Sequence, residues 1–279
     1  MKTVLITGSS SGIGKAAVQF FQSKGWQVAA TMRRPERETD LNQLDNVKLY
    51  ELDVTNNELV KAAIDQAIQD FGGIDVVINN AGYGLAGPFE TASEAQIERQ
   101  FDTNLFGVMR VTREVLPHFR ARKAGMFINI TSIGGLITLP YFSLYHGTKW
   151  ALEGFTESLR FELDPFNIKV RLVEPGGVNT DFASRSLAMT TTDTDIEAYN
   201  EHLEKIFAAY TDENRALQRS APAQIAEVIY EAATSESDQM KYVAGEDAKQ
   251  LWQARQSMTL EDFHGMIKTN FGLNENVEA

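Results

Sequence analysis

The chain has 279 residues and no cysteine, and its 38 acidic against 26 basic side chains give a formal charge of -12 and a pI near 4.9. That balance excludes nucleic acid and anionic membrane as expected partners, because both need clustered Lys and Arg, and basic residues here form no run longer than Arg33-Arg34. There is no disulfide framework or thiol chemistry, no apolar stretch approaches a membrane span, and Met1-Lys2-Thr3 runs straight into a strand pattern, so a cytoplasmic protein with one large core is expected.

Val4-Leu5-Ile6 is a continuous apolar run ending in Thr7-Gly8, followed by Ser9-Ser10-Ser11-Gly12-Ile13-Gly14 and then the helical pattern Ala16, Ala17, Val18, Phe20 and Phe21. Strand, glycine turn and helix follow in that order. Three glycines at i, i+4 and i+6 allow a tight turn and close backbone approach to a phosphate, with N–H groups exposed at a helix N-terminus whose dipole favours anions. A dinucleotide pyrophosphate fits such a turn. Gln27 to Met32 reads as the second strand, and no acid stands at its tip, where Arg33-Arg34 follow. Acids there accept ribose hydroxyls, whereas arginine suits a 2′-phosphate, the alternative being a solvated basic loop.

Val47 to Leu52 is a third strand delivering Asp53-Val54, and Glu58 to Phe71 is a helix. Ile74 to Ile78 is a fourth strand running into Asn79-Asn80-Ala81-Gly82, small residues that let the chain pass close to a ligand. Glu94 to Arg122 is helical, and Asn104 within it is either a satisfied core amide or a functional one. Met126 to Ile130 is the fifth strand, with Ser132-Ile133-Gly134-Gly135 as its exit.

Tyr145 and Lys149 then lie one helical turn apart on the same face. A phenol has a pKa of about 10, and a fixed ammonium beside it favours the phenolate, so Lys149 is expected to draw Tyr145 toward neutral pH. Ser132 can hydrogen-bond the same substrate oxygen. Lys169 to Val173 is the sixth strand, leading into Pro175-Gly176-Gly177-Val178-Asn179-Thr180. Alternating strands and helices imply right-handed βαβ units in a doubly wound, parallel α/β sheet, whose ligands bind beyond the carboxyl ends of the strands. Every residue singled out above stands there.

From Phe182 to Ser220 the alternation lapses, with one helix near Ile196 to Tyr210, and a lid is expected. Pro222 to Ala233 is a helix, Lys241 to Ala244 a short strand, and the chain from Asp247 onward a helical extension with a disordered tail. The whole is read as one domain: a cofactor half over about 1–125, a catalytic half over about 126–180 and 221–246, the lid, and the extension over 247–279.

Taken together, these residues resemble the short-chain dehydrogenase/reductase family over about Lys2 to Thr180. The resemblance rests on Thr7 to Gly14, Asp53-Val54, Asn79 to Gly82, Asn104, Ser132, Tyr145 to Lys149 and Pro175-Gly176. It implies a Rossmann-like fold, a nicotinamide cofactor and a tetrad of Asn104, Ser132, Tyr145 and Lys149. In such proteins Asn104 would hold a water linked to Lys149, and Lys149 would also hold the nicotinamide ribose. The cofactor would be bound by Gly8, Ser10, Ser11, Gly12, Ile13 and Gly14, with Asp53 and Val54 on adenine. Asn80, Ala81 and Gly82 would line the adenosine side, Val178 and Thr180 would hold the carboxamide and pyrophosphate, and Pro175 and Gly176 would also bind the cofactor. Asn79 would brace its strand.

Arg33 is similar to the pattern that prefers NADP(H) over NAD(H), with Arg34 beside it. The segments Val28 to Arg34 and Trp150 to Gly154 are similar to the branch of 17β-hydroxysteroid and retinol dehydrogenases. His146 departs from the small residue usual after the tyrosine. His118, His202 and His264 stand alone without metal-ligand spacing, so no metal is expected.

The candidate pocket residues Tyr83, Leu85, Ile133, Leu136, Leu139, Tyr141, Phe142 and Phe182 are apolar or aromatic, with Arg185 as the nearest cation. They point to a bulky, uncharged hydrophobic carbonyl or secondary alcohol. A homo-oligomer, dimer or tetramer, is expected. The competing readings are a dinucleotide-sensing regulator, which would lose the acid-base residues, and a sugar-nucleotide epimerase or dehydratase, which would carry a different glycine spacing and a larger C-terminal domain.

Overall fold

Buried apolar runs build the centre of the molecule. The computed structural model describes residues 1–180, 187–190, 196–212 and 219–273. Seven strands form one parallel sheet: β1 (Thr3–Thr7), β2 (Gln27–Met32), β3 (Val47–Glu51), β4 (Val76–Asn79), β6 (Gly125–Ile130), β7 (Ile168–Pro175) and β9 (Lys241–Ala244). Their spatial order is β3-β2-β1-β4-β6-β7-β9, so the chain reverses its direction of growth between β1 and β4. The crevice at such a reversal is where open parallel sheets bind their ligands.

Both faces of the sheet are covered, which is why β1 is buried at all five positions. On one face α1 (Gly12–Ser23) turns Ala17, Val18 and Phe21 onto the sheet and packs with Ile225 and Ile229 of a later helix, Pro222–Thr234. On the other face α2 (Asn57–Phe71), α4 (Gly107–Arg122) and α5 (Ser143–Leu163) bury Ile64, Val111, Phe119 and Leu159. Helix α2 is bounded by its sequence. Asn56 Oδ1 accepts the N–H groups of Glu58 and Leu59 at 2.9 and 3.1 Å, and Gly72 ends the helix in the left-handed conformation.

The helical stretch expected over Glu94 to Arg122 is broken in the middle. α3 (Glu94–Phe101), started by a Ser93–Gln96 capping box, passes into a π-helical turn over Asp102–Phe106 before α4 begins. Asn104 sits inside that turn, and such insertions are common at functional sites.

Two short strands escape a sequence reading altogether. β5 (Gly84–Ala86) and β8 (Leu187–Met189) pair in parallel as a separate two-stranded sheet beyond the end of β4. Three residues are too few to show alternation, so neither leaves a periodic signal. The helix expected near Ile196 to Tyr210 is a single turn at Glu197–Tyr199 continuing into α6 (Asn200–Thr211). Pro222–Thr234 is α7, and the C-terminal extension is two helices, α8 (Glu246–Ser257) and α9 (Leu260–Asn270). These helices bury Ala248, Phe263 and Ile267 with Ile133, Ile137 and Ile206 in a third apolar cluster. Phe182, Arg185 and the C-terminal Asn-Glu tail lie outside the described residues. Among the described residues no helix is long and apolar enough to cross a membrane.

Candidate active site

The turn after β1 is held so closely that only glycine fits at two of its positions. Gly8 has φ +70°, and a Cβ there would lie 2.9 Å from Ala81 Cα. A Cβ on Gly14 would lie 2.3 Å from the Gly8 carbonyl oxygen and 2.5 Å from Asn80 Nδ2. The same Asn80 Nδ2 donates to the carbonyls of Thr7 and Gly8 at 2.9 and 3.1 Å, and Thr7 Oγ1 accepts the N–H groups of Asn80 and Ala81, both at 3.0 Å. The Asn80 amide therefore braces the glycine turn from the neighbouring strand.

Helix α1 starts at Ser11 with no side-chain cap and no acid in its first turn. Its leading N–H groups lack intrahelical partners and face the carboxyl ends of β1 and β4, which is the donor set an anionic pyrophosphate needs. A nicotinamide dinucleotide fits this cradle. The segment after β7 closes on it, since Thr180 Cγ2 would lie 3.4 Å from a Cβ on Gly12. Pro175, Gly176 and Val178 are fixed nearby through the Gly176 N–H to the Ala244 carbonyl (2.9 Å) and the pairing of Val178 with Ser220. Asp53 Oδ1 accepts from Thr55 N and Oγ1 at 2.9 and 2.7 Å, so that carboxylate shapes its own turn, and Val54 is buried beneath Gly107. Ile13 packs half-buried on the core, Ser10 and Gly82 are exposed, and Ser11 and Ala81 are partly so.

At the tip of β2 the geometry adds two features to the sequence reading. A cavity of about 440 Å³ is lined by Ser10, Lys15, Arg34, Arg37, Glu38 and Asp40 among others, and Arg33, although exposed, is not among its lining residues. Two acids further along the chain, Glu38 and Asp40, also reach this cavity. Lys15 Nζ lies 3.0 Å from Glu38 and 2.5 Å from Asp40. Burial pushes the Glu38 carboxyl up, but the N–H groups of Leu41 and Asp40 together with Lys15 outweigh it and hold the group below its ordinary value. Glu38 is thus engaged by the protein, while no ion pair or hydrogen bond to a side chain links Arg34 to the two acids. Proline at position 35 and the tight turn Pro35–Arg37 bring Arg37 back beside Arg34, which a linear reading of Arg33-Arg34 misses.

Ser132, Tyr145 and Lys149 meet at the carboxyl end of β6. Ser132 caps a single turn at Ile133–Gly135, and its Oγ accepts the Gly134 N–H at 3.0 Å. Lys149 Nζ is buried, donates to the Ile130 carbonyl at 3.0 Å and lies 5.6 Å from the centre of the Tyr145 ring. Burial lowers the Lys149 ammonium to about 8, opposed by the Glu153 carboxylate one turn further along α5. Burial also raises the Tyr145 phenol above its ordinary value, with a hydrogen bond to Ser132 pulling the other way. That reverses the expected direction for Tyr145, because desolvation exceeds the help of its neighbours.

Asn104, left open by the sequence, is satisfied. Its Oδ1 accepts the Tyr83 N–H at 3.0 Å, and its Nδ2 donates to the Tyr83 carbonyl at 2.8 Å and to Thr148 Oγ1 at 3.3 Å. Its side chain ties the π turn to the strand exit and to α5. Asn79, as expected, braces its strand: Nδ2 donates to Asn129 Oδ1 at 2.9 Å, and Asn129 Nδ2 to Thr156 Oγ1 at 2.8 Å.

A sequence profile described as short chain dehydrogenase matches residues 2–191. The chain belongs to that family. Its members are NAD(P)-dependent oxidoreductases acting on CH–OH groups, and this chain is one. An uncharacterized oxidoreductase of Schizosaccharomyces pombe is 40% identical over 216 residues, covering 77% of this chain and 89% of the relative. Human retinol dehydrogenase 8 is 41% identical over 199 residues, covering 68% and 63%. Among solved structures, a short-chain dehydrogenase from Streptomyces avermitilis superposes with a TM-score of 0.82 at 32% identity over 98% of this chain and 99% of that one. ElxO with NADP bound gives 0.73 at 27% identity over 89% and 99%.

Within this short chain dehydrogenase the proposed pocket residues divide. Leu85, Ile133 and Leu136 are buried in the core, whereas Tyr83, Leu139, Tyr141 and Phe142 keep partial exposure. Phe142 stands edge-on to Tyr145 at 6.0 Å between ring centres and to Tyr210 of α6 at 5.4 Å, and Tyr210 in turn meets Phe271 at 4.9 Å. Aromatic rings therefore lead from the C-terminal extension to the tyrosine. Sequence reasoning also passes over Asp247 of α8, whose Oδ2 accepts the Gly177 N–H at 2.6 Å and holds the Pro175–Thr180 segment. No local motif marks that contact, since its partners are 70 residues apart.

Proposed function

We propose that this chain transfers hydride between NADP(H), favoured over NAD(H), and a bulky hydrophobic carbonyl or secondary alcohol, with Tyr145 as the acid or base. The observation that carries the reading is the meeting of Ser132, Tyr145 and Lys149 at the carboxyl end of β6, on the same side of the sheet as the uncapped N-terminus of α1 that follows β1. The bound nicotinamide would supply the hydride. Ser132 Oγ and Tyr145 Oη hold the substrate oxygen, and Tyr145 gives it a proton in reduction or takes one in oxidation. A phenol kept above its ordinary pKa is fully protonated at neutral pH, which suits the acid role. Lys149, at about 8, is mostly an ammonium at pH 7, placed to stabilise a forming phenolate and to bind a ribose hydroxyl. Asn104 positions the Tyr83 strand exit against α5.

Arg34 and Arg37 beside an acid already engaged by Lys15 support preference for a 2′-phosphate, and the NADP bound in ElxO agrees. Partly exposed Tyr141 and Phe142, with the name of the retinol dehydrogenase relative, support an apolar substrate. Phe106, Trp150 and Phe161, all exposed on the π turn and α5, support the homo-oligomer. The test is oxidation of NADPH and NADH against an aromatic ketone, a steroid, a short sugar and a keto acid. Highest kcat/KM on the sugar or keto acid would end the apolar-substrate reading and leave the Tyr145 assignment standing.

A further inference from the structure

His146, between Tyr145 and Gly147, carries no role in the reading above. Its ring is buried and spans both ends of the loop that joins Ser132 to α5. Leu139 N–H donates to Nε2 at 2.9 Å, and Nδ1 lies 2.7 Å from the Gly134 carbonyl oxygen. A carbonyl only accepts and Nε2 is already an acceptor, so the proton sits on Nδ1 and the ring is the neutral Nδ1–H tautomer. Gly134 passes the constraint on, because its own N–H donates to Ser132 Oγ at 3.0 Å. The fit is tight enough to fix the residue at 134. A Cβ there would stand 2.6 Å from His146 Nδ1 and 3.4 Å from Ser132 Oγ.

We infer that His146 is a positioning residue that sets the Ser132 hydroxyl through Gly134 and anchors the substrate-side wall through Leu139. It touches no reacting atom and acts through two backbone groups. The inference rests on the proposed oxidoreductase reading for its kinetic consequence, but the strap itself can be tested without turnover. The neutral ring is consistent with its surroundings. Burial lowers the imidazole pKa against the pull of the Gly134 and Leu139 contacts. Among the described residues the one titratable side chain in ring contact is Tyr145, at 5.9 Å between centres, and Phe142 fills another side at 6.1 Å. Protonating Nε2 would set two N–H groups against each other and release Leu139.

The experiment compares wild type with His146→Phe, which keeps a ring and loses both bonds, and His146→Gln, whose amide can donate and accept. Three readouts are taken on the full chain with NADPH: steady-state kinetics with the best carbonyl of the panel, hydrogen exchange of the Leu139 amide, and NMR titration of labelled Tyr145 and His146. The expected result for His146→Phe is a fall in kcat of at least about tenfold with NADPH affinity within twofold of wild type. Leu139 should exchange faster, and the Tyr145 pKa should rise further as the Ser132 bond weakens. His146→Gln should recover most of each loss. Imidazole nitrogen shifts in wild type should show the Nδ1–H tautomer.

An Nε2–H tautomer, unchanged Leu139 exchange in His146→Phe, or wild-type kcat in that variant would overturn the inference. So would a parallel loss of NADPH affinity and folding stability in both variants with no change in the Tyr145 titration. If wild type reduces no carbonyl on the panel, the proposed function fails by itself, and exchange with the Tyr145 titration still decides whether His146 sets Ser132.

Discussion

The two ends of the site are assembled from different materials. At the cofactor end, backbone meets backbone: the Gly8 and Gly14 contacts leave no room for a Cβ, and the Asn80 side chain, just past β4, closes the turn. At the substrate end, side chains far apart in sequence fix loops that have no regular structure. His146 reaches back to Gly134, and Ile133 packs with Phe263 and Ile267. A backbone cradle accepts any ligand with the right anion, whereas a wall held by side chains is set by whichever residues this chain carries there. The first end is shaped by backbone geometry and the second by side-chain contacts.

That contrast breaks first at Tyr145. Tyr145→Phe should lower kcat by about 10²-fold or more, the usual loss for a positioned acid, and leave NADPH affinity near wild type. Turnover close to normal would show that acid-base chemistry sits elsewhere. Gly14→Ala should do the reverse. Its methyl would stand 2.3 Å from the Gly8 carbonyl, so the turn must open and NADPH binding should be lost before any change at Tyr145 is felt. Titration of NADPH by fluorescence separates the two variants.

In the proposed reading Lys149 serves both ends, which sharpens the comparison. Lys149→Ala should weaken NADPH binding and turnover together. In wild type the ammonium is charged below about 8 and loses its proton as pH rises through that value, so cofactor affinity should fall on the alkaline side of pH 8. The variant should lack that limb. Affinity that stays flat to pH 9.5 in wild type would remove Lys149 from the ribose.

Which parts of this were readable in advance follows from the same contrast. Most of the sheet strands announce themselves by apolar runs and the glycine turn by its spacing, and β2 and β9 have the bounds that their patterns suggest. Asn104 stood out as a polar residue among apolar ones, but its partner Tyr83 lies 21 positions away, so spacing alone could not say what it bonds. The raised pKa of Tyr145 was illegible for a similar reason. A neighbouring lysine can be counted in the sequence, but the desolvation that outweighs it comes from packing. Arg37 was hidden by the turn at Pro35, which folds it beside Arg34.

The arginines give a smaller effect. Arg34→Ala with Arg37→Ala should cost about ten- to a hundredfold in NADPH affinity, the worth of a charge-assisted phosphate contact of about 1.5 to 3 kcal/mol, with NADH unaffected. Arg33→Ala should change little, because that side chain does not line the cavity. If Arg33→Ala alone abolishes the preference, the phosphate sits on the other side of β2.

The smallest effect expected is on stability, and it lies behind the substrate end. Glu174 is fully buried in β7, near Glu153 of α5 and Lys241 of β9. Burial, reinforced by the Glu153 carboxylate, raises its carboxyl to about 8, and Lys241 only partly offsets this. The folded protein therefore holds a proton there that the unfolded chain gives up near the ordinary value of 4.5. A group raised on folding contributes stability that is complete below its unfolded pKa and is lost as pH rises through its folded one. From pH 5 to pH 8 the wild-type Tm should therefore decline. Glu174→Gln keeps the shape of the neutral acid and cannot ionise, so its Tm should decline less, with the gap between the two proteins widening by a few degrees toward pH 8. Lys149 stands one turn from Glu153, and NADPH affinity at pH 7 should stay within about twofold, since the neutral acid and the amide present the same charge to it. Parallel melting curves across that pH range would show that Glu174 is already ionised in the folded state, held by Lys241 as a buried ion pair.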